Sequence, residues 1–342
     1  MSAQRLRAGL RGWGGVGAMA VLCALALAFV LLLPRARPGG DGELAATGPR
    51  AAEATQARAG SCVDSTAQDL SPAPSGADGA AIDAIKSRGY LTVGVDQNSY
   101  RWGYRNPNRA DGDLEGFDID LVTAIAKNIF GSSYSADKIH LRAIPTNQRT
   151  AAIKNKTVDM VVRTMTISCA RLDDVAFSAP YFVTGQQVLA PKTSAITGYD
   201  TSLAGKRICS AATSTASARL ATDKRQHKLP AGAVVMEPVP NQLDCLVRLQ
   251  LGEADAVVTD GALAASLAAQ DPTVQLKGPL FTKEYYGVAM NRSDVDLVRR
   301  VNQILEGYRT NPAGWRASYE KWLLPTLGKD SESANPPVPH YK

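Results

Sequence analysis

Histidine is scarce in this chain: only His140, His227 and His340 occur among 342 residues, and no two form a His-x-x-x-His pair. Beyond residue 34 the sequence also contains no Cys-x-x-Cys, Gly-x-Ser-x-Gly, P-loop or Gly-x-Gly-x-x-Gly motif. These are the usual signs of zinc sites, α/β-hydrolases, nucleotide hydrolases and dinucleotide-binding enzymes. The sequence therefore predicts no metal and no cofactor, and it gives little indication of an enzyme.

Net positive charge is also small outside the N-terminal region. The net charge is +6 at pH 7, and residues 1–58, with seven arginines and three acidic residues, contribute +4 of it. The remaining +2 is spread over a sequence of ordinary globular composition, with 45% hydrophobic residues. This distribution gives no reason to infer a basic stripe, so we do not expect a nucleic-acid partner.

One long hydrophobic run is present, at residues 16–33, behind Arg5, Arg7 and Arg11. A positive segment followed by an apolar run is typical of an export signal, and eighteen residues are just enough to span a membrane. Because Pro34, Arg35 and Arg37 directly follow the run where an Ala-x-Ala site is expected, we predict an uncleaved membrane anchor with the C-terminus outside the cell. A cleaved signal peptide is the alternative; Cys23 lies in the middle of the run, which disfavours a lipoprotein.

Four cysteines remain beyond the leader: Cys62, Cys169, Cys209 and Cys245. An even number of cysteines in an exported chain favours disulfides over reduced thiols. Four cysteines allow three pairings, and their spacing alone does not choose among them.

Alternating strand-like and helix-like segments fill the region between a polar tether and a proline-rich tail. "YLTVGV" (90–95), "VDMVV" (158–162) and "DAVVTD" (255–260) have the pattern of strands, and "FDIDLVTAIAKNIFG" (117–131) is apolar at helical spacing. The alternation predicts an α/β fold with mostly parallel sheets. The segments around Asp159 and Asp255 also share a pattern, which indicates two similar units facing one cleft.

The ends of these strands carry the residues with recognisable chemistry. Thr166, Ser168 and Arg171 follow "VDMVV", and hydroxyls, backbone N–H groups and a guanidinium can together hold a carboxylate. Asp260 and Asp96 each end a strand and could accept an ammonium group. A purely structural role for each remains open, as a loop ion pair for Arg171 and a turn or helix cap for the acids. Together, however, these groups describe an amino-acid site.

Several of these segments resemble the solute-binding proteins of polar amino-acid uptake systems, which have the type II periplasmic-binding-protein fold. The resemblance rests on "GYLTVGVD", "LEGFDIDLVTAIAKNIFG", "KTVDMVVRTMTISCAR", "VAFSAPYF" and "GEADAVVTD", in that order, and covers roughly residues 82–325. The cysteines and the tether are most similar to the actinobacterial glutamate/glutamine-type branch. The implied architecture is two α/β lobes, each with a mostly parallel sheet, joined by two hinge strands that close on the ligand.

The resemblance implies a role for each of several residues. Arg171 would clamp the α-carboxylate of the ligand, with Thr166 and Thr164 assisting. Asp260 would accept the α-ammonium. The first-strand loop would line the cleft with three residues: Asp96, Tyr100 and Trp102.

Residues that read the ligand side chain are implied as well. Arg149 matches an arginine of members that bind dicarboxylates, and Ser214 and Thr215 lie in the corresponding loop of the second lobe. That loop reads "AATSTAS" and lacks the usual glycine and any cation. The expected ligand is therefore glutamate or aspartate, with glutamine and asparagine left open.

The resemblance also divides the chain. It implies a signal peptide or anchor (1–34), a flexible tether (35–80), lobe 1 (81–185 and 286–327), lobe 2 (186–285) and a tail (328–342). Pairing Cys209 with Cys245 would staple lobe 2, and pairing Cys62 with Cys169 would tie the tether to lobe 1 beside the binding loop.

The implied protein is a monomeric, non-enzymatic receptor at the outer face of the plasma membrane that passes a small polar amino acid to an ABC permease. An alternative is a sensing module that docks on a membrane signalling protein. A third reading is an enzyme similar to cyclohexadienyl dehydratases, for which Glu284 or Glu237 would supply the acid–base group.

Overall fold

The computed structural model describes residues 62–110 and 112–342, which belong to one compact unit. The predicted anchor and the first part of the tether lie outside the described residues. In the part of the chain that is described, no helix is both long enough and apolar enough to cross a membrane.

Fifteen short strands are found within the described ranges. They are β1 (Leu91–Val95), β2 (Asn98–Ser99), β3 (Gly103–Arg105), β4 (Leu114–Glu115), β5 (Ile139–Ala143), β6 (Met160–Val161), β7 (Ala176–Phe177), β8 (Phe182–Thr184), β9 (Gln186–Pro191), β10 (Arg207–Cys209), β11 (Val234–Val235), β12 (Ala256–Asp260), β13 (Val274–Lys277), β14 (Glu284–Tyr286) and β15 (Ala289–Met290).

Ten α-helices alternate with these strands over the same residues. They are α1 (Ala80–Arg88), α2 (Phe117–Phe130), α3 (Arg149–Lys154), α4 (Cys169–Leu172), α5 (Thr215–Arg225), α6 (Gln242–Gln250), α7 (Gly261–Ala268), α8 (Val295–Thr310), α9 (Trp315–Trp322) and α10 (Leu324–Leu327). Several short 3-10 helices occur as well, among them Asp64–Leu70 and Glu332–Ala334.

The protein has the predicted α/β architecture of two lobes, each built on a five-stranded sheet. In lobe 1 the strand order is β5-β1-β6-β15-β7, with β1 parallel to both β5 and β6. In lobe 2 the order is β11-β10-β12-β9-β13, with β10 parallel to both β11 and β12. Each sheet also has an antiparallel strand where the chain enters it from the other lobe: β15 in lobe 1 and β9 in lobe 2.

The hinge is a separate antiparallel pair formed by β8 and β14, in which Thr184 lies opposite Glu284. Strand β9 of lobe 2 begins at Gln186, two residues after β8 ends, and β15 of lobe 1 begins three residues after β14. The hinge strands therefore belong to neither five-stranded sheet and lie between the two lobes. Glu284 reaches the site from one of these strands.

The two acids that match in the sequence pattern have the same structural role in the two lobes. In lobe 1, the carboxylate of Asp159 accepts a hydrogen bond from the backbone N–H of Thr92, and the Asp159 N–H donates to the Thr92 carbonyl. In lobe 2, Asp255 makes the same exchange with the backbone of Arg207. Each acid thus locks the start of the strand that ends at the cleft to the strand beside it.

An aromatic cluster fills lobe 1 beneath the hinge. Trp102 is fully buried and lies edge-on to Phe117, Phe182 and Tyr286, with ring centroids 4.8–5.7 Å apart. The backbone at Gly116 has a positive φ, and a Cβ there would collide with the Trp102 carbonyl oxygen. Glycine at this position therefore allows α2 to begin directly against the cluster.

Both disulfides implied by the resemblance are present. Cys62 is bonded to Cys169 and Cys209 to Cys245, with Cα–Cα distances of 5.7 and 5.6 Å. The strand predicted at 158–162 is shorter than expected, since only Met160 and Val161 form ladder pairs. The chain then turns at Thr164, whose φ of +42° is incompatible with a continuing strand.

Candidate functional site

The site lies where the chain leaves β6 of lobe 1 and meets the loop after β10 of lobe 2. Arg171, on the single turn α4, donates from Nη1 to the Thr166 carbonyl oxygen at 2.7 Å and from Nη2 to the Thr213 carbonyl oxygen at 3.0 Å. Thr166 belongs to lobe 1 and Thr213 to lobe 2, so one guanidinium contacts both. Burial lowers the pKa of Arg171, whereas the nearby acids Glu284 and Asp260 raise it.

Glu284 lies at the centre of the site on the hinge strand β14. Its Oε2 accepts hydrogen bonds from the hydroxyls of Thr166, at 2.6 Å, and Thr215, at 2.8 Å. Its Oε1 accepts from the side-chain amide of Gln186 at 2.5 Å. A buried carboxylate needs several donors of this kind to remain in place, and here they come from lobe 1, lobe 2 and the hinge.

Asp260 ends β12, and its buried carboxylate accepts a hydrogen bond of 2.6 Å from the hydroxyl of Tyr286. Burial, followed by the negative charge of Glu284, raises the pKa of Asp260 to about 8. Among the described residues, Tyr286 is the only hydrogen-bond partner of the Asp260 carboxylate. Asp260 is therefore placed to accept a further donor, and a cation beside it would offset the repulsion by Glu284.

Arg149, at the start of α3, is 4% exposed and has no carboxylate partner within the described ranges. It donates from Nε to the carbonyl of Thr146 at 3.1 Å and from Nη1 to the carbonyls of Arg163 and Thr164 at 3.1 and 3.4 Å. Burial lowers its pKa well below the usual range, and Arg171 and Arg163 lower it further. An anion beside Arg149 in the cleft would offset the repulsion that Arg149 experiences from Arg171 and Arg163.

Thr164, whose carbonyl accepts a hydrogen bond from Arg149, has a left-handed backbone conformation. Such a conformation is unfavourable for a β-branched residue and persists only when its surroundings hold it. The buried carboxylate of Asp118 does so, accepting the Thr164 N–H at 3.2 Å and the Tyr181 hydroxyl at 2.9 Å. Burial raises the pKa of Asp118 to about 7.

Asp96 is already paired within the protein. It forms a buried ion pair of 2.8 Å with Arg163, and its carboxylate also accepts from the Ser99 hydroxyl and the backbone N–H of Gln97. Arg163 in turn donates to the amide oxygen of Asn241 in lobe 2 at 2.9 Å. The structure thus brings Asp96 to the edge of the cleft, where it supports Arg163.

The two aromatic residues of the first-strand loop are not brought together with Arg171. Trp102 lies in the core of lobe 1, one ring away from the site through Tyr286. Tyr100 is half-buried and lines a separate cavity of about 840 Å³, together with Asn98 of lobe 1 and Leu243 of lobe 2. The proposed ligand contacts of both therefore stay predictions.

The loop of lobe 2 contributes hydroxyl groups at the start of α5. Ser214 caps this helix by accepting the Ser217 N–H at 3.0 Å, which occupies its hydroxyl oxygen. The next residue, Thr215, points its hydroxyl at Glu284. Ser214 therefore positions the loop, and Thr215 is the member of the pair that faces the cleft.

Sequence reasoning missed three groups at the site: Glu284, Gln186 and Asp118. Glu284 is predicted only as an acid–base candidate for an enzyme, because it does not end a strand of the "DAVVTD" type. Asp118 lies inside a helix pattern, where a carboxylate is usually read as exposed. No local signal marks either one, since both reach the site only through the hinge and the packing of α2.

Four sets of contacts show that the cleft is closed. Besides Arg171–Thr213 and Thr215–Glu284, the Thr146 hydroxyl donates to Gln242 of lobe 2 at 3.4 Å, and Arg163 contacts Asn241. The charges that remain after the Asp96–Arg163 pair is formed are two arginines, Arg149 and Arg171, and two acids. This arrangement can hold a small molecule that carries both carboxylate and ammonium groups.

The sequence model of the bacterial extracellular solute-binding proteins, family 3, matches residues 91–325. This chain belongs to that family. The chain is 30% identical to the ABC transporter glutamine-binding protein GlnH of Bacillus subtilis over 242 residues, covering 71% of this chain and 84% of the relative. It is 27% identical to the glutamate-binding protein GluB of Corynebacterium efficiens over 265 residues, covering 75% and 84%.

A solved structure confirms the fold. The solute receptor for L-cysteine of Neisseria gonorrhoeae matches with a TM-score of 0.66 at 25% identity, covering 76% of this chain and all of that one. Its alignment spans both lobes, and the type II periplasmic-binding-protein architecture is shown for this chain. The relatives named here are binding proteins rather than enzymes.

Proposed function

We propose that this protein is an extracytoplasmic receptor that binds an acidic amino acid, L-glutamate or L-aspartate, in the closed cleft and delivers it to an ABC permease. The observation that supports an acidic ligand is the position of Arg149, a buried guanidinium whose partners are all backbone carbonyls. A carboxylate on the ligand side chain would supply the counter-charge that the described residues do not.

The α-carboxylate and the α-ammonium, which all these amino acids share, fit Arg171 and Asp260. The α-carboxylate meets the N–H groups of Arg171 that do not donate to the Thr166 and Thr213 carbonyls, since a guanidinium carries five N–H donors. The α-ammonium meets Asp260, whose pKa is raised to about 8 by burial and then by the negative charge of Glu284. Arg171 already contacts both lobes, so a ligand held there stabilises closure of the hinge.

The charge balance distinguishes acidic ligands from their amides. Asp96 is paired to Arg163, and the α-ammonium would pair with Asp260, so Arg149 is left as a buried cation with no salt-bridge partner among the described residues. An amide ligand would be a neutral zwitterion and would leave Arg149 without an anion. Glutamate or aspartate adds one negative charge beside Arg149, whose pKa is lowered by burial and then by Arg171 and Arg163, so we expect it to bind more tightly.

Calorimetric titration of the full-length chain, first unfolded and refolded to remove any co-purified amino acid, tests this proposal. L-Glutamate and L-aspartate should bind at least tenfold more tightly than glutamine and asparagine, since a hydrogen bond to a charged group contributes about 1.5–3 kcal/mol. N-Acetyl-L-glutamate, which lacks the ammonium, should not bind, and the Arg171→Ala variant should bind none of the ligands.

Either of two results would contradict the proposal. Tighter binding of glutamine than of glutamate would exclude the role given to Arg149 while leaving the receptor intact. Binding of glutamate that survives Arg171→Ala would exclude the site itself. Delivery is tested separately, by reconstituting the chain with a candidate ABC permease and its ATPase in vesicles. Glutamate uptake that does not depend on this chain, together with a kinase response that does, would favour the sensing alternative.

A further inference from the structure

The turn that carries Arg171 is held by a segment from outside the matched family region. That region begins at residue 91, whereas Cys62 and Asp64 come from the segment Cys62–Leu70, which we call the N-terminal brace. The brace is joined to α4 twice: through the Cys62–Cys169 disulfide, and through a hydrogen bond of 2.8 Å from the Cys169 N–H to Asp64 Oδ1.

The helical turn α4 has little support of its own. It contains four residues, and the side chain of Ser168, its N-cap residue, makes no capping hydrogen bond. A single turn is unstable in isolation, and its first N–H groups need acceptors from elsewhere. Asp64, more than a hundred residues away in the sequence, supplies that acceptor. Its negative charge at the start of a helical turn adds favourable electrostatics.

Packing beneath the turn reinforces the connection. Ala67 of the brace is 1% exposed and belongs to the same apolar cluster as Met165 and Ile167, the residues on either side of Thr166. Cys62 and Cys169 are packed against this cluster as well. The brace therefore contacts both the turn that carries Arg171 and the chain that presents the carbonyl of Thr166 to it.

We propose that the N-terminal brace positions Arg171, and that Asp64 and the Cys62–Cys169 disulfide act as positioning elements for ligand binding. The inference rests on the proposed function, in which Arg171 holds the α-carboxylate. Arg171 makes its two contacts through a side chain anchored on one short turn. A shift of that turn displaces the guanidinium relative to Thr166 and Thr213 together, and binding depends on both contacts.

The opposite end of α4 has separate support. Lys154 pairs with Asp174 at 2.5 Å, and Arg292 donates to the Asp173 carbonyl at 2.7 Å. These contacts keep the chain folded when the brace is released, and they confine the expected disturbance to the first half of the turn. Loss of the brace should therefore affect affinity more than global stability.

Calorimetric titration of L-glutamate into full-length variants tests the proposal. Asp64→Ala should raise Kd by about three- to tenfold, which corresponds to the loss of a helix cap, whereas Asp64→Asn and Asp64→Ser, which can still accept the Cys169 N–H, should restore most of the affinity. Asp83→Ala is the matched control, since it removes the same charge from an exposed position on α1. The melting temperatures of Asp64→Ala and Asp83→Ala should agree within a few degrees.

The disulfide is tested with the double variant Cys62→Ser/Cys169→Ser, compared with Cys209→Ser/Cys245→Ser. Only the first pair should raise Kd. Unchanged Kd in both Asp64→Ala and Cys62→Ser/Cys169→Ser, with a lowered melting temperature, would show a structural role alone and overturn the proposal.

Hydrogen exchange without ligand separates failure of this inference from failure of the proposed function. In Asp64→Ala the amides of residues 169–172 should exchange faster than in Asp83→Ala, whatever the ligand proves to be. If the wild-type chain does not bind glutamate, the proposed function is wrong, and faster exchange still supports the brace. Equal exchange in the two variants overturns it.

Discussion

Glu284 and Thr215 are joined across the cleft by a hydrogen bond of 2.8 Å, and the same carboxylate oxygen accepts the hydroxyl of Thr166 from the other lobe. One oxygen thus receives a donor from each lobe while the residue itself lies on the hinge. Because Thr166 and Thr215 belong to different lobes, opening of the cleft must break at least one of these two bonds. Glu284 is therefore placed to stabilise the closed state.

Replacing Glu284 by glutamine tests this role with little change in volume. A neutral amide accepts more weakly than a carboxylate, and its NH₂ group cannot accept a hydroxyl proton. We expect Glu284→Gln to raise Kd for glutamate by about tenfold. Small-angle scattering should then show a ligand-saturated form that is less compact than that of the wild type.

Glu237→Gln serves as the control for this change, because Glu237 is exposed and lies away from the hinge. It should leave both affinity and compactness unchanged. Wild-type closure in Glu284→Gln, with normal affinity, would mean that the shared oxygen contributes nothing to the closed state.

The raised pKa of Asp260 predicts two opposite dependences on pH. Burial, and then Glu284, raise it to about 8 in the folded protein, whereas a carboxyl in an unfolded chain has a pKa of about 4. Between these pH values the folded state holds a proton that the unfolded state lacks. The stability contributed by this proton is complete below about pH 4 and is lost as the pH rises to about 8.

Ligand binding should change with pH in the other direction. An ammonium group requires the ionised carboxylate of Asp260, so binding below about pH 8 must release its proton. The affinity for glutamate should therefore rise with pH, by up to about tenfold per unit, until about pH 8. Titrations in buffers of different ionisation enthalpy would count the released proton directly.

The variant Asp260→Asn separates this group from other titrating residues, including Asp118, whose pKa is about 7. It should bind weakly, and the melting temperature of its ligand-free form should fall less between pH 4 and pH 8. Glu284, Tyr286, Arg171 and Arg149 all face Asp260 and remain in this variant. The same pH slope in both proteins would assign the titration to another residue.

Arg149 should decide between acidic and amide side chains. In Arg149→Gln the buried cation is removed while donors to the Thr146 carbonyl remain available. We expect glutamate to bind about ten- to a hundredfold more weakly, in line with the loss of a hydrogen bond to a charged group, and glutamine to be affected by less than about threefold. Competition titrations with both ligands measure the ratio. Equal losses for the two ligands would indicate that Arg149 only supports the loop around Thr164.

The sequence predicted the parts of the fold that repeat a local pattern. The strand at Leu91–Val95 and the helix at Phe117–Phe130 lie within one residue of their predicted bounds, because their apolar periodicity is strong. The strand before Thr164 was overestimated, since apolar residues continue where the backbone changes to a left-handed turn. That turn depends on Asp118, a contact between residues 46 positions apart in sequence, which no local pattern contains.

The site was predictable where its residues follow strand ends. Thr166 and Arg171 follow β6 of lobe 1 and Asp260 ends β12 of lobe 2, so each comes from the carboxyl end of a strand, as the sequence pattern indicates. Their ligand contacts stay predictions. Glu284 was not predicted as part of the binding site, since it comes from a hinge strand whose direction is set by the return of the chain between lobes. Asp96 was predicted as a cleft residue, but the sequence could not show that Arg163 would pair with it.

The Cys209–Cys245 disulfide should contribute stability without affecting binding. It joins β10 to α6 within lobe 2, and both cysteines are fully buried in the core of that lobe. Removing a crosslink that closes a loop of 36 residues increases the entropy of the unfolded chain. We expect Cys209→Ser/Cys245→Ser to lower the free energy of unfolding by about 3 kcal/mol, measured by urea denaturation. Kd for glutamate should change by less than about twofold, because neither cysteine contacts Arg171, Asp260 or Glu284. A large loss of affinity with unchanged stability would instead mean that this disulfide sets the position of the Thr213–Thr215 loop.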